Sequence, residues 1–375
     1  MKRDGQTLQL DEFIYSLEDI SPVEIYDRLS SLGYIGQESA RRNISLSAYR
    51  HLKRIKLLQN AGNKRSELTP KPNSVLIGPT GCGKTYMLEL LFGEILKIPY
   101  IIVDMTKFTE SGYVGDDVVN ILVQLVYAAN ESIEIAEKGV VILDEFDKIA
   151  GSYSNARFAG QGTTKDVSGY GVQRELLKII EGTDIQIPLD FGFSSRSPRS
   201  LMSSRDISFF AVGAFSGIKN LIDKYGMGFI QLLSRSEDIN SNIAYRISDE
   251  EADDISQFHL FGFLPELIAR FNRIIPFEPL NRDKLKDILL LKIDKYKREF
   301  LIEGYILLID SSVADVIVDE AIKRQTGARG LDVLITKNIE EVAFELFGKG
   351  GSGEILLKTD KTGKVMHQIK KKLKM

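Results

Sequence analysis

The sequence predicts an α/β fold in which a parallel sheet carries helices on both faces and a smaller, mainly helical α+β domain follows. Three observations carry this expectation. Short apolar runs alternate with helix-period segments between residues 75 and 214, the rhythm of βαβ units. Two of those runs, Val75-Leu76-Ile77 and Val140-Val141-Ile142-Leu143, are apolar throughout, as strands buried on both faces are. Pro276-Phe277-Glu278-Pro279 then interrupts the rhythm before a helix-rich stretch, and 375 residues exceed one typical domain.

Taken in order, residues 1–20 read as a polar arm with a few apolar anchors. Ser21-Pro22 is a helix start, with Ser as cap and Pro at the first helical position. Helical periodicity follows Gly36 as far as residue 58, and residues 60–73, with Gly62, Pro70 and Pro72, read as a loop. Strands are expected at 75–77, 100–103, 140–144 and 207–214, and helices at 86–96, 116–136 and 172–181. Residues 151–169, rich in Gly, Ser, Thr and Asn, read as a loop, and residues 187–206, with Arg196, Arg199 and Arg205, as another. Beyond the proline-bounded break, helices are expected at 282–301, 312–325 and 327–347, with a short strand at 305–309. Segments 354–357 and 364–367 around Asp360 and Gly363 read as a terminal hairpin. The expected organisation is an arm (1–20), a large domain (21–280), a small domain (281–349) and a hairpin with a basic, solvated tail (350–375).

The strand at 75–77 runs into Gly78-Pro79-Thr80-Gly81-Cys82-Gly83-Lys84-Thr85, which fits the phosphate-binding pattern G-x-x-x-x-G-K-[S/T] at every fixed position. Its glycines let successive backbone N–H groups turn toward phosphate oxygens without a Cβ clash. The helix that follows, beginning around Tyr86, adds a favourable dipole. Lys84 is placed to reach the β and γ phosphates, and Thr85 to offer its hydroxyl to Mg²⁺. The second apolar run ends in Asp144-Glu145. Ligands of open α/β sheets bind at such carboxyl ends, so Asp144 is expected to hold Mg²⁺ and Glu145 to polarise the attacking water. Together the two motifs predict an ATPase with ATP and Mg²⁺ as cofactors.

Composition narrows the field. A net charge of −3 gives no general argument for nucleic-acid or anionic-membrane binding. The single cysteine, Cys82, excludes a disulfide framework or a multi-cysteine zinc site within the chain. His51, His259 and His367 show no metal-ligand spacing. Neither a signal core nor a membrane-length apolar run is visible, and a soluble cytoplasmic protein is expected.

A series of further motifs in fixed order resembles the ATPase core of the ClpX family, AAA+ ring unfoldases that feed the ClpP peptidase. Tyr34-Ile35-Gly36-Gln37-Glu38 resembles the adenine-side box, and Glu110-Ser111-Gly112-Tyr113-Val114-Gly115-Asp116-Asp117 the first pore loop. Asp144-Glu145-Phe146-Asp147-Lys148-Ile149 resembles the extended acidic motif. Asp166-Val167-Ser168-Gly169, Gly171-Val172-Gln173, Ile180-Glu181-Gly182-Thr183, Pro265-Glu266-Leu267-Ile268-Ala269-Arg270 and Thr326-Gly327-Ala328-Arg329-Gly330-Leu331 complete the series. The likeness spans residues 21–347. It implies a P-loop AAA+ fold, a homo-hexameric ring and ATP-driven unfolding of tagged or unfolded proteins. It also implies that Ile35 lies on the adenine side, that Arg270 is an arginine finger for a neighbouring subunit, and that Arg329 is a second sensor. Tyr113 and Val114 would grip the substrate in the pore through apolar area and sterics, which suits a machine that takes many sequences.

The sequence departs from the family at three places. It carries no four-cysteine zinc module ahead of Ser21. In place of the peptidase-docking Ile-Gly-Phe it has Met227-Gly228-Phe229, which keeps an apolar plug of similar size. The strand at 207–214 ends in Gly213 rather than Asn or Thr, so no first sensor residue is assigned. A stand-alone remodelling chaperone without a peptidase would use the same core. A nucleic-acid motor would too, but the near-neutral charge and lack of a basic stripe argue against it.

Overall fold

The structure is a computed structural model that describes residues 2–60, 68–110, 114–151, 169–188, 199–216, 255–360 and 365–371. Tyr113, Arg196 and the Met227-Gly228-Phe229 segment lie outside the described residues.

Three helices precede the sheet: α1 (Lys2–Ser16), α2 (Pro22–Ser31) and α3 (Glu38–Asn60). The expected polar arm is therefore helical. Ile14, Leu17 and Ile20 are buried against the large domain, and Gln59 Nε2 donates to Asp11 Oδ1 at 2.7 Å. Helix α2 starts as the sequence predicts. Ser21 Oγ accepts from Glu24 N while the Glu24 carboxylate accepts from Ser21 N, a reciprocal cap with Pro22 behind it.

Strand β1 (Ser74–Ile77) is fully buried and leads through the glycine-rich loop into α4 (Lys84–Glu89). The helix then widens into a π-helical turn, Leu90–Ile95, in which Leu96 N reaches Leu91 O. Strand β2 (Tyr100–Asp104) follows, then α5 (Thr106–Glu110), α6 (Val114–Ala128), α7 (Ile133–Ala136) and β3 (Val140–Asp144). The single helix expected over 116–136 is thus two helices. They are parted by Asn130 and Glu131, both at positive φ, and Ser132 caps the second.

A 3₁₀ turn (Phe146–Ile149) leads from β3 toward α8 (Gly169–Glu181). The segment expected as an arginine-bearing loop carries a two-stranded antiparallel ribbon of β4 (Asp184–Pro188) and β5 (Arg199–Ser203). Strand β6 (Ser208–Gly213), α9 (Ile255–Phe261), α10 (Pro265–Ile268) and β7 (Arg273–Pro276) complete the large domain.

The five-stranded sheet has the order β2-β3-β6-β1-β7 and is parallel throughout. Alternate residues feed two separate cores. Val75, Ile77, Val141, Leu143, Phe209 and Ala211 face α6 and α8. Leu76, Val140, Ile142, Phe210 and Val212 face helices α1 to α4. Burial on both faces is why these strands read as unbroken apolar runs.

A third core lies beyond Pro279. It packs α11 (Arg282–Ile302), α12 (Ser311–Lys323) and α13 (Gly327–Leu346) against a sheet of β8 (Tyr305–Ile309), β9 (Gly353–Thr359) and β10 (Val365–Lys371). Asn281 and Asp310 cap the first two helices. Strand β8 pairs in parallel with β9, which pairs antiparallel with β10. The terminal hairpin is therefore part of the small domain's own sheet, and Lys370 and Lys371, expected in a solvated tail, end its last strand.

Candidate nucleotide cleft

A cleft of about 760 Å³ opens at the carboxyl edge of the sheet, between the large domain and the helices of the small one. The glycine-rich loop forms its floor. Gly81 and Gly83 have φ of +77° and +94°, which side-chain-bearing residues rarely adopt. A Cβ on Gly81 would also come within 2.5 Å of Thr326 O, so the loop and the start of α13 meet backbone to backbone. Ala328 N donates to Gly81 O at 3.0 Å and fixes that meeting.

Lys84 is buried, and its Nζ donates to Gly78 O at 2.6 Å and Pro79 O at 2.9 Å, carbonyls at the start of the same loop. Cys82 Sγ lies 3.8 Å away, and burial pushes that thiol's pKa up. Thr85 Oγ1 faces Asp144 Oδ2 at 3.2 Å. These two residues stand 59 positions apart in sequence and are brought together because β1 and β3 end at the same edge. A hydroxyl and a carboxylate oxygen so placed are hard donors of the type Mg²⁺ takes. Asp144 Oδ1 accepts from Glu145 N at 3.0 Å, and Glu145 holds a left-handed φ of 52°. Strained backbone of that kind concentrates at functional sites. Both carboxylates line the cleft, as do Thr80 to Tyr86.

The opposite wall begins at Tyr34 and Ile35. Tyr34 Oη donates to Gly83 O at 3.1 Å, and its ring stacks on that of Tyr86 with centroids 6.1 Å apart. Burial raises the pKa of both phenols. Gln37, which the sequence did not single out as a site residue, ties three segments together. Its Nε2 donates to Glu278 O at 2.7 Å and to Cys82 O at 3.4 Å, while its Oε1 accepts from Glu278 N at 2.9 Å.

Helix α11 presents Ile288, Leu291, Lys292, Lys295 and Arg298 to the cleft. Their spacing marks one helical face and could have been read from the sequence. That this face meets the phosphate loop depends on how the domains dock, which no local pattern encodes. Arg329 lines the cleft from α13, one residue beyond the Ala328 contact. Arg270 does not line it. Half exposed just beyond α10, it pairs with Glu181 at 2.5 Å. Val114 is the first residue of α6. Arg199 and Arg205 also lie elsewhere, Arg199 at the start of β5 and Arg205 paired with Asp184 at 2.8 Å.

Comparison with known proteins agrees with this geometry. The family model described as AAA domain (Cdc48 subfamily) matches residues 69–274, more than half of the chain. The model described as C-terminal, D2-small domain, of ClpB protein matches residues 280–354. Among similar curated proteins, the ATP-dependent Clp protease ATP-binding subunit ClpX of Borrelia duttonii is 37% identical over 322 residues, covering 83% of this chain and 71% of that protein. The protein of the same name from Porphyromonas gingivalis is 34% identical over 337 residues, covering 87% and 77%.

Proposed function

This chain belongs to the ClpX family of AAA-domain ATPases, and we propose that it works as one subunit of a homo-hexameric ring that unfolds proteins and threads them through its centre. ATP hydrolysis is its chemistry. The observation that carries the mechanistic reading is the meeting of Thr85 and Asp144 at 3.2 Å, with Glu145 beside them and Arg270 outside the cleft.

The residues divide the work as follows. Gly78 to Gly83 cradle the phosphates with backbone N–H groups. Lys84 leaves the carbonyls of Gly78 and Pro79 to pair with the β and γ phosphates. Thr85 and Asp144 would hold Mg²⁺, which when bound would supply neutralising charge to the phosphate oxygens. Glu145 accepts the proton of the attacking water. Ile35 and Tyr86 bound the adenine, and Arg329 follows the γ-phosphate from the small domain. Arg270, about half exposed, reaches the γ-phosphate of the next subunit, where a guanidinium stabilises the spread of charge. A site completed in trans needs a head-to-tail neighbour, and such an interface repeated with a closing rotation gives the ring.

Tyr113 and Val114 apply the force to the substrate chain. The named relatives are subunits of the Clp protease, and Met227-Gly228-Phe229 is the segment we assign to docking a ClpP-type peptidase. The large domain and the small domain, which takes in β9 and β10 as well as residues 281–349, move about the 278–280 link. Among the described residues no helix is long and apolar enough to cross a membrane, and a cytoplasmic location fits this role.

Two substitutions test the site. Lys84→Ala abolishes binding of a fluorescent ATP analogue. Glu145→Gln keeps that binding but slows phosphate release by at least about 100-fold. Wild-type turnover by the Glu145→Gln protein would overturn the base assignment.

A further inference from the structure

Phe146 directly follows Glu145, and Phe271 directly follows Arg270. These rings touch: their centroids are 5.7 Å apart in an edge-on arrangement at 67°. Phe146 also stacks on Phe263 at 5.1 Å, and Phe263 meets Phe215 at 5.8 Å. Phe215 in turn follows Gly213 and Ala214, which line the cleft. All four rings are buried. The two backbones that enter this cluster from the cleft, at Glu145 and Phe215, both carry left-handed φ values, 52° and 51°. Asp147, buried beside them, accepts from Ala214 N at 3.2 Å and so joins the turn after β3 to the end of β6.

On the far side, Phe271 sets the start of the strand that follows Arg270. The Arg270 carbonyl is held by Asn73 Nδ2 at 3.1 Å, so the chain there has little freedom except through the packing of Phe271. Close-packed cores transmit displacement rather than absorb it. A shift of the Glu145 turn on nucleotide binding or hydrolysis would press through Phe146 onto Phe271 and move the guanidinium between its own Glu181 and an adjoining site.

We propose that Phe146 and Phe271 form an aromatic bridge by which the state of one subunit's nucleotide site positions the arginine it offers the next subunit. The two phenylalanines are positioning residues. The proposal rests on the reading of Glu145 as base and of Arg270 as a finger acting in trans.

Mixed rings test it. Wild-type subunits are combined with equal amounts of Glu145→Gln subunits, with co-assembly verified by size, and phosphate release is measured. The inactive subunits hold ATP and clamp their neighbours, so activity falls by more than the roughly twofold expected of simple dilution. Adding Phe271→Leu to the inactive subunits returns activity to about that twofold level. Phe146→Leu does the same from the other end of the bridge and replaces Phe271→Leu if the latter fails to co-assemble. Phe258→Leu removes the same volume from a ring that meets Phe215 and Phe263, and it leaves the inhibition intact. Simple halving by Glu145→Gln subunits, or equal inhibition with and without Phe271→Leu, overturns the bridge. So does relief of inhibition by Phe258→Leu. Uniform Arg270→Ala rings are assayed in parallel: wild-type turnover there sinks the finger assignment itself, and the bridge with it.

Discussion

His51 shows how a single side chain of this protein can be read from chemistry outward. It is fully buried at the end of the sheet remote from the cleft. Lys138 O can only accept, so the ring nitrogen Nε2, 2.9 Å away, must carry the proton; Nδ1 then accepts from Ser208 Oγ at 2.7 Å. Burial, with the nearby Arg54 and Lys138 charges adding to it, drives the pKa from 6.5 down to about 4, against the opposing pull of the Lys138 carbonyl and Asp206. The unfolded chain therefore binds a proton at a higher pH than the folded one. Stability from this group is complete above pH 6.5 and is lost as pH falls toward 4, by up to about 3 kcal/mol. Denaturant unfolding of the wild type and of His51→Gln across that range checks this. The difference between them should shrink in acid, and a pH-independent difference would contradict the assignment.

The same scale separates what the sequence disclosed at the site from what it did not. Lys84, Thr85, Asp144 and Glu145 were legible because their chemistry depends on a contiguous loop or on the end of one strand. Arg329, which lines the cleft, and Arg270, which does not, are lone arginines that only the resemblance singles out. Gln37 stayed hidden because its two partners, Cys82 and Glu278, lie 45 and 241 positions away.

Among the elements, four of the five strands of the main sheet were readable almost to the residue, most plainly β1, β3 and β6, whose burial on both faces leaves an uninterrupted apolar run; the edge strand β7, only four residues long with Arg273 and Pro276 at its ends, was not expected. Helix α1 was not, because its polar sequence shows little apolar periodicity and its anchors, Ile14 and Leu17, lie near or beyond its end. The β4–β5 ribbon was missed for a related reason. Its alternation is weak and only Ile187 and Met202 are buried. The π-helical turn after α4 also left no mark, as its residues suit an ordinary helix.

Element junctions rest on a few polar side chains, and Gln173 of α8 is the clearest. Fully buried, it donates to Ile149 O at 2.8 Å and Gly262 O at 3.0 Å and accepts from Leu264 N at 2.8 Å. It thereby joins α8, the 3₁₀ turn after β3 and the segment ahead of Arg270. Gln173→Leu keeps the volume but strands these groups, and should lower stability by about 2–4 kcal/mol in denaturant melts. A loss under about 0.5 kcal/mol would show that the junction is held by the aromatic cluster alone.

At the scale of the whole molecule, the large and small domains meet at the phosphate loop itself. Ala328 bonds Gly81, Lys284 pairs with Glu38 at 3.3 Å, and Gln37 grips the link at Glu278. Residues of both units line the cleft, and in the proposed ring this links nucleotide state to interdomain angle and so to the force on a substrate. In the proposed ring, hydrolysis at this cleft drives protein unfolding. The most direct measurement is the loss of native fluorescence of a stable reporter carrying an unstructured tail, followed with ATP. Loss is expected with the wild type, none with Glu145→Gln, and none with Tyr113→Ala although that variant still hydrolyses ATP. ATP turnover by the wild type that leaves the reporter folded, or unfolding that proceeds unchanged with Tyr113→Ala, would contradict it.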